Sequence, residues 1–111
     1  MGAWPLLGVA IITEVIATTF LRASNDWIGA QRAMAFAIVV VGYGASFWLL
    51  SMVLKKMELG ISYAVWAGVG TAVTALIGVW IFGEGISVAK FACIGLIIVG
   101  VVGLELSGAN G

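Results

Sequence analysis

Residues Trp4–Leu21 read WPLLGVAIITEVIATTFL, a run in which Glu14 is the one charged side chain. A helix needs about 17 or more such residues to cross roughly 30 Å of hydrocarbon, so the run predicts a membrane-spanning helix. A carboxylate in the middle of a span costs several kcal/mol, and ionisable residues at that depth usually mark sites of function. Glu14 is therefore the first candidate functional residue.

Three further apolar stretches follow. Ala33–Leu54 and Leu59–Gly83 carry no charge and exceed the crossing length, whereas 91–104 offers only 14 uncharged residues. Lys90 and Glu105 extend this last stretch if their side chains reach the two membrane surfaces. The connections are a polar loop over 22–32 and two short links, KKME and EGIS, and Glu84 in the second link is expected to be solvated. The sequence predicts an all-α integral membrane protein, a single domain over 1–111 with four transmembrane helices at about 4–21, 33–54, 59–83 and 87–106.

The composition also indicates a lipid environment: 63% of residues are hydrophobic, 9% are charged, and the mean hydropathy is +1.22. The net charge of zero gives no reason to expect nucleic acid as a partner. Cys93 is the single cysteine and His is absent, which excludes an intrachain disulfide and a Cys/His metal site. One buried acid without these ligands is a poor catalytic set, so no enzyme activity is expected. The first span lacks a preceding basic residue and exceeds a signal peptide's apolar core, so we expect it to be retained.

Basic residues in loops usually set the orientation of a membrane protein. With four spans, Lys55 and Lys56 share a side with both termini, and Arg22, Arg32 and Lys90 lie opposite. Two basic residues on one side against three on the other give almost no preference for either orientation. Either another feature fixes the topology, or the chain inserts in both orientations and forms antiparallel pairs.

A dimer is expected because four helices have little room to enclose a substrate and also to shield it from lipid. The fourth stretch, GLIIVGVVGLELSG from Gly95, is rich in glycine. Gly103 and Ser107 have the small-xxx-small spacing that permits close helix contact in lipid, although glycine is common in membrane helices generally. The candidate dimer contacts are Gly95, Gly100 and Gly103.

Positions three and four residues from Glu14 share its helix face and carry small or apolar side chains. Ala10 and Ala17 leave space near the carboxylate, and Thr18 supplies a hydroxyl one turn away. Spans two and three contain no charge, so a proton or a transported cation is expected to neutralise the acid. The alternative is a protonated, inert acid that is hydrogen-bonded to Thr18 or to a neighbouring helix.

Two aromatic stripes accompany the acid. Tyr43, Ser46 and Phe47 share a face of the second span, and Tyr63 and Trp66 share a face of the third. Aromatic residues also anchor helices at membrane interfaces, which is the alternative for each of them. Beside an acid, aromatic faces suit an organic cation, which gains charge neutralisation, cation–π attraction and apolar contact. The phenols are also able to donate hydrogen bonds to the ionised carboxylate.

The third span contains Gly68-Val69-Gly70. Glycine in a helix interior lowers stability and permits bending. The two glycines, Gly68 and Gly70, therefore indicate either a bend in this helix or close packing against another one.

Burial disfavours an ionised carboxyl, and a bound cation favours it. Proton and cation therefore compete for Glu14. Alternating exposure of this site to the two sides of the membrane converts a proton gradient into cation efflux. Two interacting acids in a dimer would titrate as a pair. Protons are the expected coupling ion, and no cofactor is expected.

In these residues the chain resembles the small multidrug resistance transporters of bacterial inner membranes. The resemblance covers essentially the whole chain and rests on EVIATTFLRAS from Glu14, YGASFWLL from Tyr43, GISYAVWAGVGTA from Gly60 and the glycine-rich fourth stretch. It implies an antiparallel dimer of four-helix subunits that exchanges protons for lipophilic cations at paired glutamates. It also implies a bend at Gly68–Gly70 and dimer contacts in the fourth helix. With the faces described above, the candidate substrate chamber comprises Ala10, Thr18, Tyr43, Ser46, Phe47, Tyr63 and Trp66.

The subtype follows from fewer residues. Ile16 and Thr18-Thr19 resemble the branch that exports quaternary ammonium and aromatic cations, whereas guanidinium exporters tend to carry a Trp in this region. Ala67 departs from the drug exporters, which more often have Ser after the Trp. The leading hypothesis is a proton-coupled antiporter of hydrophobic cations. The alternatives are a guanidinium or polyamine exporter of the same family, and a non-transporting membrane subunit such as half of an obligate heterodimer.

Overall fold

The structure is a computed structural model, and it describes residues 2–108. These residues form four α-helices: α1 (Ala3–Ala23), α2 (Gly29–Val53), α3 (Leu59–Ile81) and α4 (Val88–Gly108). A short 3₁₀ helix, Ser24–Asp26, follows α1. Each α-helix is long and apolar enough to cross a membrane. The expected all-α membrane architecture is confirmed.

The ends of the helices follow from local chemistry. Pro5 lies in the first turn of α1, where a missing backbone N–H breaks no helical hydrogen bond. Gly29 opens α2 with a φ of 64°, and Gly83 follows α3 with a φ of 65°. Both values lie in the left-handed region that residues with a Cβ rarely adopt. These glycines allow the chain to turn sharply between helices.

The first helix lies at the centre of the bundle, where it packs along both α2 and α3, and α4 packs chiefly on α3. Residues of α1, α2 and α3 form the core, whereas none of the side chains described in α4 is buried. The apolar surface of α4 is therefore left for lipid or another chain to cover. The cluster of buried side chains at the centre of this core comprises Leu6, Leu7, Ala10, Ile11, Val15, Leu50, Val53, Ile61, Val65 and Trp66.

The helices differ from the apolar stretches mainly at their ends. α1 continues through Arg22, and α2 begins at Gly29, so most of the loop expected over 22–32 is helical. Arg32 consequently lies in the first turn of α2, directly before the uncharged stretch that begins at Ala33. Hydropathy reports how far a helix runs through hydrocarbon, whereas good helix formers such as Ala, Gln and Arg extend it beyond. α4 also continues to Gly108, well past the short uncharged stretch.

Candidate functional site

Glu14 lies in the middle of α1, and its carboxyl rests against α3 at Gly70. A Cβ added to Gly70 would lie 2.8 Å from the Cδ atom of Glu14, closer than real Cβ contacts. The Oε2 atom of Glu14 is buried and has no hydrogen-bond partner among residues 2–108. A buried carboxylate oxygen without a partner is unfavourable while the carboxyl is ionised. Binding of a proton or a cation at this oxygen would therefore be favourable.

Small residues also bring α2 close to α1, as Gly70 does for α3. Ala10 and Ala17 are almost completely buried, and a Cβ added to Gly42 would lie 2.8 Å from the Cβ of Ala17. Small side chains at such crossings let helix backbones approach closely in lipid. Gly42 was not identified from the sequence, because nothing in the pattern of α2 shows which glycine meets α1.

Three helices are joined by a pair of buried hydrogen bonds. The indole Nε1 of Trp66 on α3 donates to Oγ of Ser46 on α2 at 3.0 Å. The Ser46 hydroxyl in turn donates to the backbone oxygen of Ala10 on α1 at 2.7 Å. Because Ala10 lies one turn before Glu14, these bonds fix the position of Trp66 relative to the carboxylate.

An aromatic surface extends from this point. Phe47 and Tyr63 flank Trp66, with ring centroids 5.3 and 5.6 Å from that of the indole. Trp66 is buried, whereas Phe47 and Tyr63 are each 53% exposed. The surface therefore has a fixed centre and an open side, where a ligand or a second chain can contact it.

Tyr43 differs from the expectation. Its hydroxyl forms a hydrogen bond with Thr18, one turn from Glu14 on α1. Neither the phenol of Tyr43 nor the hydroxyl of Thr18 is paired with the carboxylate. The inert alternative, with Glu14 bonded to Thr18, is also not what the structure shows.

Gly68 and Gly70 both mark close contacts in an unbroken α3. A Cβ added to Gly68 would lie 3.1 Å from a methyl of Ile97 and 3.2 Å from a methyl of Val101, both on α4. Gly70 accommodates the Glu14 carboxyl, as described above. These contacts favour the close-packing interpretation, and a bend in α3 stays a prediction.

The glycines of α4 have a different environment. Nothing lies within 4 Å of a Cβ added to Gly95, Gly100 or Gly103. These residues therefore do not pack against the rest of their own chain. Their role as dimer contacts stays a prediction.

Glu84, which was expected to be solvated, has a side chain that is 43% exposed and that also contacts two helices. Its carboxyl rests against Gly78 of α3, where an added Cβ would lie 2.9 Å from Glu84 Cδ. Its Oε2 atom lies 3.4 Å from Nε of Arg22 at the end of α1. The sequence carried no signal of this pairing, because 62 residues separate the partners.

Other features do not compete with Glu14 as the centre of the site. No group of three or more His, Cys, Asp or Glu residues within 2–108 is placed to hold a metal ion. A cleft of about 400 Å³ lies between α3 and α4, but mainly apolar side chains such as Ile94 and Ile97 line it. The unpartnered carboxyl oxygen of Glu14 and the aromatic surface around Trp66 are therefore the candidate site.

The family model of the Small Multidrug Resistance protein matches residues 2–97. The chain belongs to the small multidrug resistance family. Three bacterial relatives agree with this assignment. Quaternary ammonium compound-resistance protein QacF of Klebsiella aerogenes is 44% identical over 96% of this chain and 94% of its own. Quaternary ammonium compound-resistance protein QacE of Escherichia coli is 40% identical over 96% of this chain and 94% of its own. A guanidinium exporter of Yersinia pseudotuberculosis is 37% identical over 95% of this chain and 98% of its own.

Membership of the small multidrug resistance family confirms the resemblance found in the sequence. The family consists of dimeric membrane proteins, in agreement with the four spanning helices. The protein is thus a multi-pass membrane protein.

Proposed function

We propose that this chain is a proton-coupled antiporter that exports hydrophobic organic cations, with Glu14 as the shared site for proton and cation. The observation that carries the proposal is the buried Oε2 atom of Glu14, which has no hydrogen-bond partner in the described part of the chain. The names of QacE and QacF, which refer to resistance to quaternary ammonium compounds, support this substrate class.

The substrate chamber supplies the two interactions that such a cation requires. The carboxylate of Glu14 neutralises its charge, and the rings of Phe47, Tyr63 and Trp66 offer apolar area and cation–π attraction. A proton removes the charge from the same carboxyl and so releases the cation. Protons are the coupling ion, and the mechanism requires no cofactor.

A second copy of the chain completes the chamber. Phe47 and Tyr63 are half-exposed on its open side, and no side chain described in α4 is buried. Nearly balanced basic residues on the two sides support an antiparallel homodimer, with Gly95, Gly100 and Gly103 available for contact. Such a pair exposes the two glutamates alternately to either side of the bacterial inner membrane. The bend at Gly68–Gly70 belongs to this proposal as a hinge.

The decisive experiment replaces the carboxyl of Glu14. In lipid nanodiscs, Glu14→Gln is expected to abolish pH-dependent binding of tetraphenylphosphonium. In proteoliposomes it is expected to abolish ethidium efflux driven by a proton gradient. Asp26→Asn is the matched control, because it removes an equal charge from an exposed position. Coupled transport that persists in Glu14→Gln at the rate of Asp26→Asn would reject the proposal.

A guanidinium exporter is the second candidate, because one such protein aligns with 95% of this chain. Competition between guanidinium and tetraphenylphosphonium for purified protein distinguishes the two substrate classes. If the chain is a drug exporter, we expect guanidinium to displace tetraphenylphosphonium only at a concentration much higher than that of tetraphenylphosphonium. If the purified chain, reconstituted alone, moves no protons with either cation, it is instead a non-transporting or heterodimeric subunit.

A further inference from the structure

The carboxylate of Glu14 has a counterpart further along the same pair of helices. Glu14 rests on Gly70, and Glu84 rests on Gly78, eight residues later in α3. The backbone N–H groups of Phe82 and Glu84 both donate to the oxygen of Gly78, at 3.2 and 3.0 Å, and so hold Glu84 over this glycine. Eight residues of helix correspond to about 12 Å, so two carboxylates are spaced along one side of α3.

The second carboxylate already holds a cation, the guanidinium of Arg22. Its Nε lies 3.4 Å from Oε2 of Glu84, and its Cζ lies 4.9 Å from the ring centroid of Phe82. A carboxylate beside an aromatic ring is the same combination that the chamber around Glu14 offers to an organic cation. Charge-assisted hydrogen bonds are usually about 2.7–2.9 Å long, so the Arg22–Glu84 pair, at 3.4 Å, is longer than usual.

A cleft of about 180 Å³ lies beside this ion pair and extends along α1 as far as Thr18, one turn from Glu14. Thr18 and Thr74, which line it from α1 and α3, lie midway between the two carboxylates along the helices. Arg22, Phe82 and Glu84 line it at the end of α1. Because ligand pockets for drug-sized molecules are usually about 300–1,000 Å³, this cleft suits a small cation.

We propose that Phe82, Glu84 and this cleft form a second cation subsite, which binds small planar cations of the guanidinium class, and that Arg22 is its resident competitor. The side chains of Arg22 and Glu84 are 46% and 43% exposed, and ion pairs at such exposure are worth little. A free guanidinium therefore displaces Arg22 at little cost. If the chain exports cations as proposed, a cation on its way between Glu14 and the membrane surface would bind at this subsite, and that role rests on the proposed function. Binding of guanidinium at Glu84 does not depend on the proposed function.

The test uses the full chain with Glu14→Gln in lipid nanodiscs, so that binding at the chamber is removed. The chain contains two arginines, and their ¹⁵N side-chain Nε–H signals report on the two guanidinium groups separately. Arg32 is the matched control, because its guanidinium also lies over a ring, that of Phe36, at 5.4 Å. Guanidinium chloride is added against sodium chloride at constant ionic strength.

The subsite predicts a saturable shift of the Arg22 signal, with the Arg32 signal unchanged. Adding Glu84→Gln is expected to abolish the saturable shift. Adding Arg22→Gln is expected to strengthen guanidinium binding by up to about fivefold, followed through the backbone amide of Glu84. Equal, unsaturated shifts at both arginines, or a saturable shift that survives Glu84→Gln, would overturn the subsite. Either result leaves the antiport proposal intact, since that proposal is decided by Glu14 in the wild-type background.

A second pair of variants keeps the charge of Glu84 in place. Gly78→Ala pushes the carboxyl off its glycine, because the new Cβ would lie 2.9 Å from Cδ. Gly85→Ala is its control, since nothing lies within 4 Å of a Cβ added there. Guanidinium binding is expected to fall by up to about fivefold in Gly78→Ala and to be unchanged in Gly85→Ala. Equal affinity in the two variants would overturn the proposal, even if Glu84→Gln fails to fold.

Discussion

A single methyl group at Gly70 is expected to weaken cation binding at Glu14. Ordinary contacts of a Cβ begin at 3.4 Å, and a Cβ at residue 70 would lie 2.8 Å from Cδ of Glu14. The carboxyl must therefore move by at least 0.6 Å (3.4 minus 2.8 Å), or α1 and α3 must separate. Binding groups need to be held within about 0.5 Å of their productive geometry. We expect Gly70→Ala to lose roughly tenfold or more in affinity, equivalent to about 1.4 kcal/mol.

Two controls separate this effect from general consequences of adding a methyl group. Gly44→Ala lies on α2, where nothing is within 4 Å of the added Cβ, and should bind normally. Gly68→Ala meets methyl groups of Ile97 and Val101 on α4 and leaves Glu14 untouched. If α3 bends during transport, Gly68→Ala should slow efflux while keeping its affinity for the cation.

The assay is calorimetric titration of tetraphenylphosphonium into each variant in nanodiscs at a pH where wild-type binding is saturable. Thermal unfolding of the same samples shows whether α1 and α3 have separated, since overpacking usually costs about 1–3 kcal/mol. The contrary result is that Gly70→Ala binds tetraphenylphosphonium as tightly as Gly44→Ala and unfolds at the same temperature. That result would show that the position of the Glu14 carboxyl does not control the affinity.

Three further outcomes follow from the same contacts. Ser46→Ala leaves the buried Trp66 N–H without its acceptor, so unfolding should show a loss of about 1–3 kcal/mol. Ser51→Ala, whose exposed hydroxyl bonds within its own helix, should change by less than about 0.5 kcal/mol, and equal losses would contradict the role of Ser46. The hydroxyl of Ser62 is buried without a partner among the described residues, so Ser62→Ala should leave stability unchanged or higher, and a clear loss would be inconsistent with that. Acidification should weaken tetraphenylphosphonium binding by up to about tenfold per pH unit in the wild type, because a protonated Glu14 carries no charge, and affinity that rises on acidification would exclude this competition.

The number of spans, the position of the acid and the family were available from the sequence. Hydropathy is a local property, so four apolar stretches predict four helices without knowledge of their packing. A carboxylate in the middle of such a stretch is equally visible, and it identified Glu14. The motifs from Glu14, Tyr43 and Gly60 indicated the small multidrug resistance family, which the family match confirms.

The partners of each side chain were not available in the same way. The sequence placed Tyr43 near Glu14, but the structure pairs its hydroxyl with Thr18. It offered Gly68 and Gly70 as a bend or a packing contact, and the structure places a carboxyl against one and α4 against the other. It treated Glu84 as a solvated charge, and the structure adds that this half-exposed side chain lies beside Arg22 and Gly78.

The physical reason is that membrane helices are apolar on nearly every face. In a soluble protein the polar stripe of a helix shows which side turns outward, but lipid removes that signal. Sequence alone therefore determined the spans and the one acid in the middle of a span. The rotation and register that place Gly70 under Glu14, and Ser46 between Ala10 and Trp66, were decided only by the packing of the helices.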